Sequence, residues 1–197
     1  MIHDYTWPDL VQKFGFPAQP RRTSYEVGPH GLQKAEYQIL AELVRLHGAR
    51  RILELGTAEG YVGQALLREI PAIDFYLGID IPPDTFTTVE NYTRQGCKEL
   101  PGWAILQASP RAAVMLVAGG SFALHTADLP RDLDAVLVDG EHTGNAAKHD
   151  TELVRGALRP GGLLVWHDAL IYPQVTAYVS SLPDDICRAG NIAWTTV

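Results

Sequence analysis

The order of apolar and polar positions divides the chain into short runs that alternate with longer periodic stretches. From Gly31 to His47 the apolar residues Leu32, Ala35, Ile39, Leu40, Leu43, Val44 and Leu46 recur at helical spacing, and Gly48 follows as a stop signal. Beyond it come five compact runs rich in apolar residues: 51–55, 75–79, 103–106, 135–138 and 163–166. Near-continuous runs of this length read as strands buried on both faces. Helices are predicted between them, near 61–70, 84–95, 110–117 and 145–158, the last closed by the turn signal Arg159-Pro160-Gly161-Gly162. A further helix is predicted over 173–182. The stretch from Ile186 to Val197 places Gly190-Asn191 between two strand-like runs, which predicts an antiparallel pair. Strand–helix alternation of this kind predicts an α/β fold with a doubly wound, mostly parallel sheet and helices on both faces. Residues 1–30, punctuated by Pro8, Pro17, Pro20 and Pro29, read as a lead-in of short helix and loop that covers a site or packs on a partner subunit. Residues 31–197 form a single domain.

Composition narrows the class of function. At 197 residues the chain suffices for one layered core without a disulfide or metal staple. Sixteen Lys and Arg against 23 Asp and Glu give a net charge of −7. That balance disfavours a nucleic-acid partner, which calls for a basic face. Two cysteines, Cys97 and Cys187, exclude a disulfide-dense scaffold and a four-cysteine zinc site. No apolar run approaches the ~20 residues of a membrane span, so no membrane partner is expected. The opening residues Met1–Tyr5 lack the apolar core of a signal peptide, so a cytoplasmic location is expected.

The segment with most chemical content is Ile52-Leu53-Glu54-Leu55-Gly56-Thr57-Ala58-Glu59-Gly60-Tyr61, where the first of the five runs turns into a helix. In open α/β sheets ligands bind beyond the carboxyl ends of the strands. A dinucleotide fingerprint needs Gly-x-Gly-x-x-Gly, and here Ala58 and Tyr61 occupy two of its three glycine positions. A phosphate-binding P-loop needs a Lys that is missing. Glu54 and Glu59 repel phosphate and suit a ligand with a cationic end, such as S-adenosylmethionine with its ammonium and sulfonium. Asp80 ends the next run twenty-four residues after Gly56, which places it to accept hydrogen bonds from ribose hydroxyls. A tight strand–helix turn and a solvated strand-end acid would explain each feature alone; together they support one another.

With those residues the chain resembles the class I S-adenosylmethionine-dependent methyltransferases, and within them the catechol- and macrocin-type small-molecule O-methyltransferases. The segments that carry the likeness are Glu54–Tyr61, Gly78-Ile79-Asp80, Gln107-Ala108-Ser109, Val138-Asp139-Gly140-Glu141-His142 and Arg159–Asp168. The resemblance implies a Rossmann-like seven-stranded sheet with an antiparallel last strand. It implies S-adenosylmethionine as cofactor, held by Glu54, Gly56, Thr57, Ala58, Gly60, Tyr61, Asp80, Ile81, Ala108, Ser109 and Asp139. In it Ile81 lies against the adenine and Ser109 meets the adenine edge. Ser109 can equally cap the helix predicted at 110–117, with Pro110 at its first position.

Asp139 ends the fourth run and His167-Asp168 the fifth, so both open onto one crevice. In catechol-type relatives a Lys three positions after the strand-end Asp serves as base; here that position is His142, a side chain suited to proton removal near neutral pH. His142 and Asp139 are the candidate catalytic pair. Those relatives also bind a divalent metal at the same strand ends. Here Asp139, His167 and Asp168 are the candidate ligands, for Mg²⁺ or another divalent ion, provided the strand has ended and its alternation is broken. Without a metal, Asp139 and Asp168 position substrate or shape the loops. Tyr25, Trp166 and Tyr172 either wall the acceptor pocket or pack in the core.

The expected activity is methyl transfer to a hydroxyl of a small molecule, and the resemblance brings a homodimer into view. Two alternatives stand beside it: a non-catalytic cofactor-binding or scaffold protein, and a nicotinamide-dependent oxidoreductase, which the broken glycine fingerprint opposes.

Overall fold

Eight strands hydrogen-bond into one mixed sheet in this computed structural model, which describes residues 1–28, 31–83 and 99–197. The helix expected near 84–95 lies outside the described residues, as do His30 and Cys97. In chain order the elements are β1 (Ile2–Asp4), α1 (Trp7–Phe14), α2 (Lys34–Leu46), β2 (Arg51–Leu55), α3 (Tyr61–Glu69), β3 (Phe75–Asp80), α4 (Trp103–Ala108), β4 (Ala112–Leu116), β5 (Leu133–Val138), α5 (Gly144–Arg155), β6 (Leu158–Trp166), α6 (Pro173–Ser181), β7 (Ile186–Ala189) and β8 (Ile192–Thr196).

The strand order is β1-β7-β8-β6-β5-β2-β3-β4. The five strands from β6 to β4 run parallel, β8 runs antiparallel to both β6 and β7, and β1 joins β7 in parallel. This is the expected Rossmann-like architecture with one strand more than the seven implied. The extra strand is β1, drawn from the lead-in, where only a helix and loop were expected. Three residues, Ile2-His3-Asp4, carry too little alternation to announce a strand.

Alternation along the parallel strands feeds two cores. Ile52, Tyr76, Ala135, Leu137, Leu163 and Val165 pack with α1, α2 and α3 on one face. Their neighbours Leu53, Leu77, Val136, Leu164 and Trp166 pack with α5 and α6 on the other. Trp166 is fully buried there, with its indole N–H donating to Thr151 at 2.8 Å, so it is a core residue and no pocket wall. Tyr25 is buried too, stacked on Tyr37 at 4.4 Å with its hydroxyl donating to the Leu32 carbonyl.

One strand–helix pair is exchanged relative to expectation. Trp103–Leu106, expected as the third strand, opens α4, and the helix expected over 110–117 is the strand β4. A four-residue apolar run is ambiguous between the two states. β4 is an edge strand with Ala-Ala-Val-Met-Leu, mostly good helix formers, and its half-exposed faces give no clean period. A smaller departure concerns Arg159–Gly162, expected as a turn. These residues lie inside β6, and a register shift between Leu133 and Ala135 on β5 accommodates them.

Candidate active site

The ends of β2, β3, β5 and β6 open into a cleft of about 780 Å³. Its first wall is the turn from β2 into α3. Gly56 there has φ 82° and Gly60 φ 88°, the left-handed region that glycine enters without strain. A Cβ at Gly56 would stand 2.1 Å from the Asp139 carbonyl oxygen, so only glycine lets this turn close onto the end of β5. Asp80 ties the turn to β3: its Oδ2 accepts from Ala58 N at 2.6 Å and its Oδ1 from Ile81 N at 2.7 Å. Burial raises its carboxyl against those two bonds. Each oxygen keeps a second lone pair, and Asp80 lines the cleft.

Glu54 lies beneath the turn, where its Oε2 accepts from the Thr57 hydroxyl at 2.6 Å and the Tyr76 hydroxyl at 2.9 Å. Burial outweighs both bonds and pushes its carboxyl up to about 8. A bound ammonium would favour the ionised form. Gly28, Gly31, Tyr61 and Glu59 close a small recess around Glu54 and Asp139, so the lead-in reaches the site.

Ala108 and Ser109 are placed elsewhere. Ser109 follows α4 and precedes β4, at the end of the sheet opposite the cleft, and its hydroxyl accepts from Arg111 N at 3.1 Å. The exchange of strand and helix is the cause: the loop that faces the cleft follows β4 and contains Gly119, Gly120, Ser121 and Phe122. Ile81 lines the cleft as expected.

At the other end the backbone itself turns the chemistry inward. β6 ends at Trp166, and Asp168 takes φ 58°, unusual for a residue with a side chain. The strand alternation is broken there, and His167 and Asp168 both face the cleft. His142, in the loop ahead of α5, points Nε2 at Asp168 Oδ2 at 2.6 Å and stacks on Tyr172 at 4.1 Å. Thr143 directly after it caps α5 by accepting from Ala146 N at 3.1 Å, which anchors the loop. Donation of its hydrogen bond to Asp168 raises His142 against burial, and the Asp168 and Asp139 charges add to it. Asp168 Oδ1 also accepts from Asn191 Nδ2 at 2.6 Å. Burial opposes ionisation of Asp168, but His142, His167 and Asn191 hold its carboxyl below the usual range.

His167 is bound on both sides. Nδ1 lies 2.7 Å from Asp139 Oδ1 and Nε2 lies 3.1 Å from Glu36 Oε2. Burial disfavours its charge, yet Asp139, Glu36 and Asp168 together push it up to about 10, so it stands as an imidazolium donating to two carboxylates. Burial lifts the Asp139 carboxyl while the His167 charge and hydrogen bond pull against that. His167 Nδ1 also lies 3.5 Å from Asp168 Oδ2, so the expected set Asp139, His167 and Asp168 stands together in the cleft. Among the described residues, donor atoms of Asp139, His142 and Asp168 lie within 4.8 Å of one another.

Two residues of this network escaped sequence reasoning. Glu36 accepts from Gln33 N at 2.6 Å as part of a capping box that starts α2, a signal visible in Gln33-Lys34-Ala35-Glu36, but nothing local tied it to His167. Asn191 sits at the β7–β8 turn, where its Oδ1 accepts from Leu170 N and Ile171 N, each at 3.1 Å. The turn was legible and the docking was not.

Six carboxylates (Glu36, Asp80, Asp139, Glu141, Asp150, Asp168) and two histidines line the cleft, and its described lining residues include no lysine or arginine. Such a lining opposes a diphosphate and accommodates a cationic ligand. A glycine turn at a central strand end, an acid at the next strand end and a His142–Asp168 pair across the cleft make up the candidate site. Residues 53–169, more than half of the chain, match the family model described as a methyltransferase domain, and the chain belongs to that family. No curated protein matches the sequence. Solved structures share the fold. The O-methyltransferase TomG from Streptomyces achromogenes, involved in tomaymycin synthesis and solved with SAM, is 18% identical at a TM-score of 0.59, over 95% of this chain and 85% of its own. The O-methyltransferase from Bacillus cereus, solved in complex with SAH, is 16% identical at 0.57, over 85% and 83%. Cofactor-bound Rv0187 from MTB is 17% identical at 0.61, over 88% and 84%.

Proposed function

We propose that this methyltransferase carries a methyl group from S-adenosylmethionine to a hydroxyl oxygen of a small molecule. The observation that carries the reading is the carboxylate-lined cleft between the glycine turn and the His142–Asp168 pair. The donor, when bound, supplies a methyl group on a positively charged sulfur. Glu54 faces its ammonium, Asp80 its ribose hydroxyls, and Ile81 and the 119–122 loop its base. The acceptor enters beside Tyr172, Leu170 and Ile171, which are 40%, 53% and 64% exposed at the rim. Methyl transfer needs in-line placement and loss of the acceptor proton. Nε2 of His142 is held by Asp168, so Nδ1, which has no hydrogen-bond partner among the described residues, takes that proton. Asp168 fixes the ring and stabilises the imidazolium that forms, and Asn191 holds Asp168. The lead-in acts as a cover over the donor end, through Gly28 and Gly31. The acidic cleft favours a small acceptor over nucleic acid, and no described helix is long and apolar enough to cross a membrane.

Calorimetry with S-adenosylhomocysteine tests the donor assignment. Binding is expected, and Asp80→Ala is expected to weaken it by about ten- to a hundredfold, the worth of hydrogen bonds to a charged group. An undiminished affinity would contradict the ribose role.

A second reading has support in the Asp139, His142 and Asp168 cluster, an O₂N set that fits Mn²⁺, Fe²⁺ or Zn²⁺ better than Mg²⁺. Such an ion would orient the acceptor oxygen and ease its deprotonation. His142 would then be a ligand and not the base. The base reading predicts turnover that survives EDTA dialysis; loss with EDTA and recovery with one of these ions would establish the metal instead.

A further inference from the structure

Residues 21–28 of the lead-in cross from α2 to α3 on a run of polar ties. Arg21 pairs with Glu42 of α2 at 2.9 Å, and its carbonyl accepts from Gln38 Nε2 at 2.9 Å. Just beyond, the strap meets Glu69, the last residue of α3. Glu69 Oε1 accepts from the Thr23 hydroxyl at 2.6 Å, from Ser24 N at 2.6 Å and from the Ser24 hydroxyl at 3.1 Å. Its Oε2 accepts from the Tyr37 hydroxyl at 3.0 Å and from Arg45 Nη2 at 3.4 Å. Tyr37 is in turn the platform on which Tyr25 of the strap stacks. Both oxygens of one carboxylate therefore hold the strap, one directly and one through Tyr37. Burial opposes the Glu69 charge, and bonds led by that of Thr23 hold its carboxyl below the usual range all the same.

The far end of the strap lies at the opposite end of α3. A Cβ on Gly28 would stand 2.7 Å from Tyr61 Cδ2, and Tyr61 is the first residue of that helix. From Tyr61 to Glu69 the helix rises about 12 Å, while the chain from Ser24 to Gly28 reaches at most about 14 Å. With so little slack, a strap tied at Glu69 is pinned at Tyr61. There it closes the recess around Glu54 and Asp139, which at about 20 Å³ holds roughly one water. The amino-acid tail of an adenosyl donor needs more room than that.

We propose that Glu69 is a positioning residue for the donor: it latches residues 23–28 along α3, and the latch must release for the donor's tail to enter or leave the recess at Glu54. The inference rests on the adenosyl donor proposed above. A latch of this kind sets the height of a barrier without touching the donor, so it governs how fast the donor exchanges in both directions.

Surface plasmon resonance on the full chain, with S-adenosylhomocysteine as the probe, tests it. Thr23→Val together with Ser24→Ala removes both hydroxyl donors to Glu69, at a half-buried and an exposed position outside the core. The pair is expected to raise kon and koff together by about tenfold, with Kd little changed. Glu69→Ala should do the same, and Glu69→Gln, whose amide oxygen still accepts from the strap, should stay near the wild type. A role in stability alone would shift Tm and leave both rates in place. Wild-type rates in the double variant would overturn the proposal. So would a rise in koff alone, which would make the strap an ordinary contact, or a Glu69→Gln variant as fast as Glu69→Ala. Failure of the wild type to bind S-adenosylhomocysteine at all removes the donor assignment and this inference with it. Normal binding with unchanged rates removes this inference alone.

Discussion

Replacing His142 with alanine is expected to lower kcat by about 10²–10⁴-fold, the usual contribution of a positioned general base, with affinity for S-adenosylhomocysteine unchanged. The separation follows from geometry: His142 stands with Asp168 and Tyr172, whereas Glu54, Asp80 and the glycine turn make the proposed donor end. The pH profile carries the sharper signature. A base works only when deprotonated, and Asp168 raises His142 above its ordinary 6.5. The rate is therefore expected to climb with pH along a limb centred above 6.5, and Asp168→Asn to move that limb to lower pH. A profile that stays in place in the Asp168 variant, or turnover by the His142 variant at the wild-type rate, would take the proton from His142 and assign it elsewhere.

The second large effect falls on stability. His167→Ala is expected to cost about 3–5 kcal/mol, because it leaves Asp139 and Glu36 facing each other across a buried gap with no cation between them. The pH dependence has a definite sign. His167 binds its proton more tightly folded, at about 10, than unfolded, near 6.5, so its contribution is complete below about 6.5 and drains away as the pH rises toward about 10. Urea midpoints measured across that interval should fall for the wild type and fall less for His167→Gln. Parallel curves would mean that the imidazolium does not form.

The fold of the proposed donor end was legible in the sequence because its strand, turn and helix start are consecutive. Glu54 through Tyr61 is one strand, turn and helix start, and Asp80 ends the neighbouring strand at a regular interval, so periodicity and glycine placement suffice. The β7–β8 pair was legible for the same reason, through Gly190-Asn191. The residues expected at the adenine, Ala108 and Ser109, come from a stretch where local signals mislead. Alanine, methionine and leucine in β4 favour a helix intrinsically, and only pairing to β3 makes them a strand. That one exchange carried Ala108 and Ser109 to the wrong end of the sheet and hid Gly119–Phe122. Adjacency suggested His167 with Asp168 as metal ligands, and beside Asp168 in its left-handed turn the structure also places His142. Glu36 and Asn191 were beyond reach because no local pattern encodes a partner on another element.

The distance along the chain between His167 and Glu36, 131 residues, has a further meaning. Contacts of such span carry the entropy cost of closing a long loop, which local contacts do not. The proposed donor cradle also needs distant elements in place, because its Gly56 turn closes onto Asp139 at the end of β5. On the proposed chemistry, adenosyl binding and turnover alike become assays for molecules that have completed their assembly.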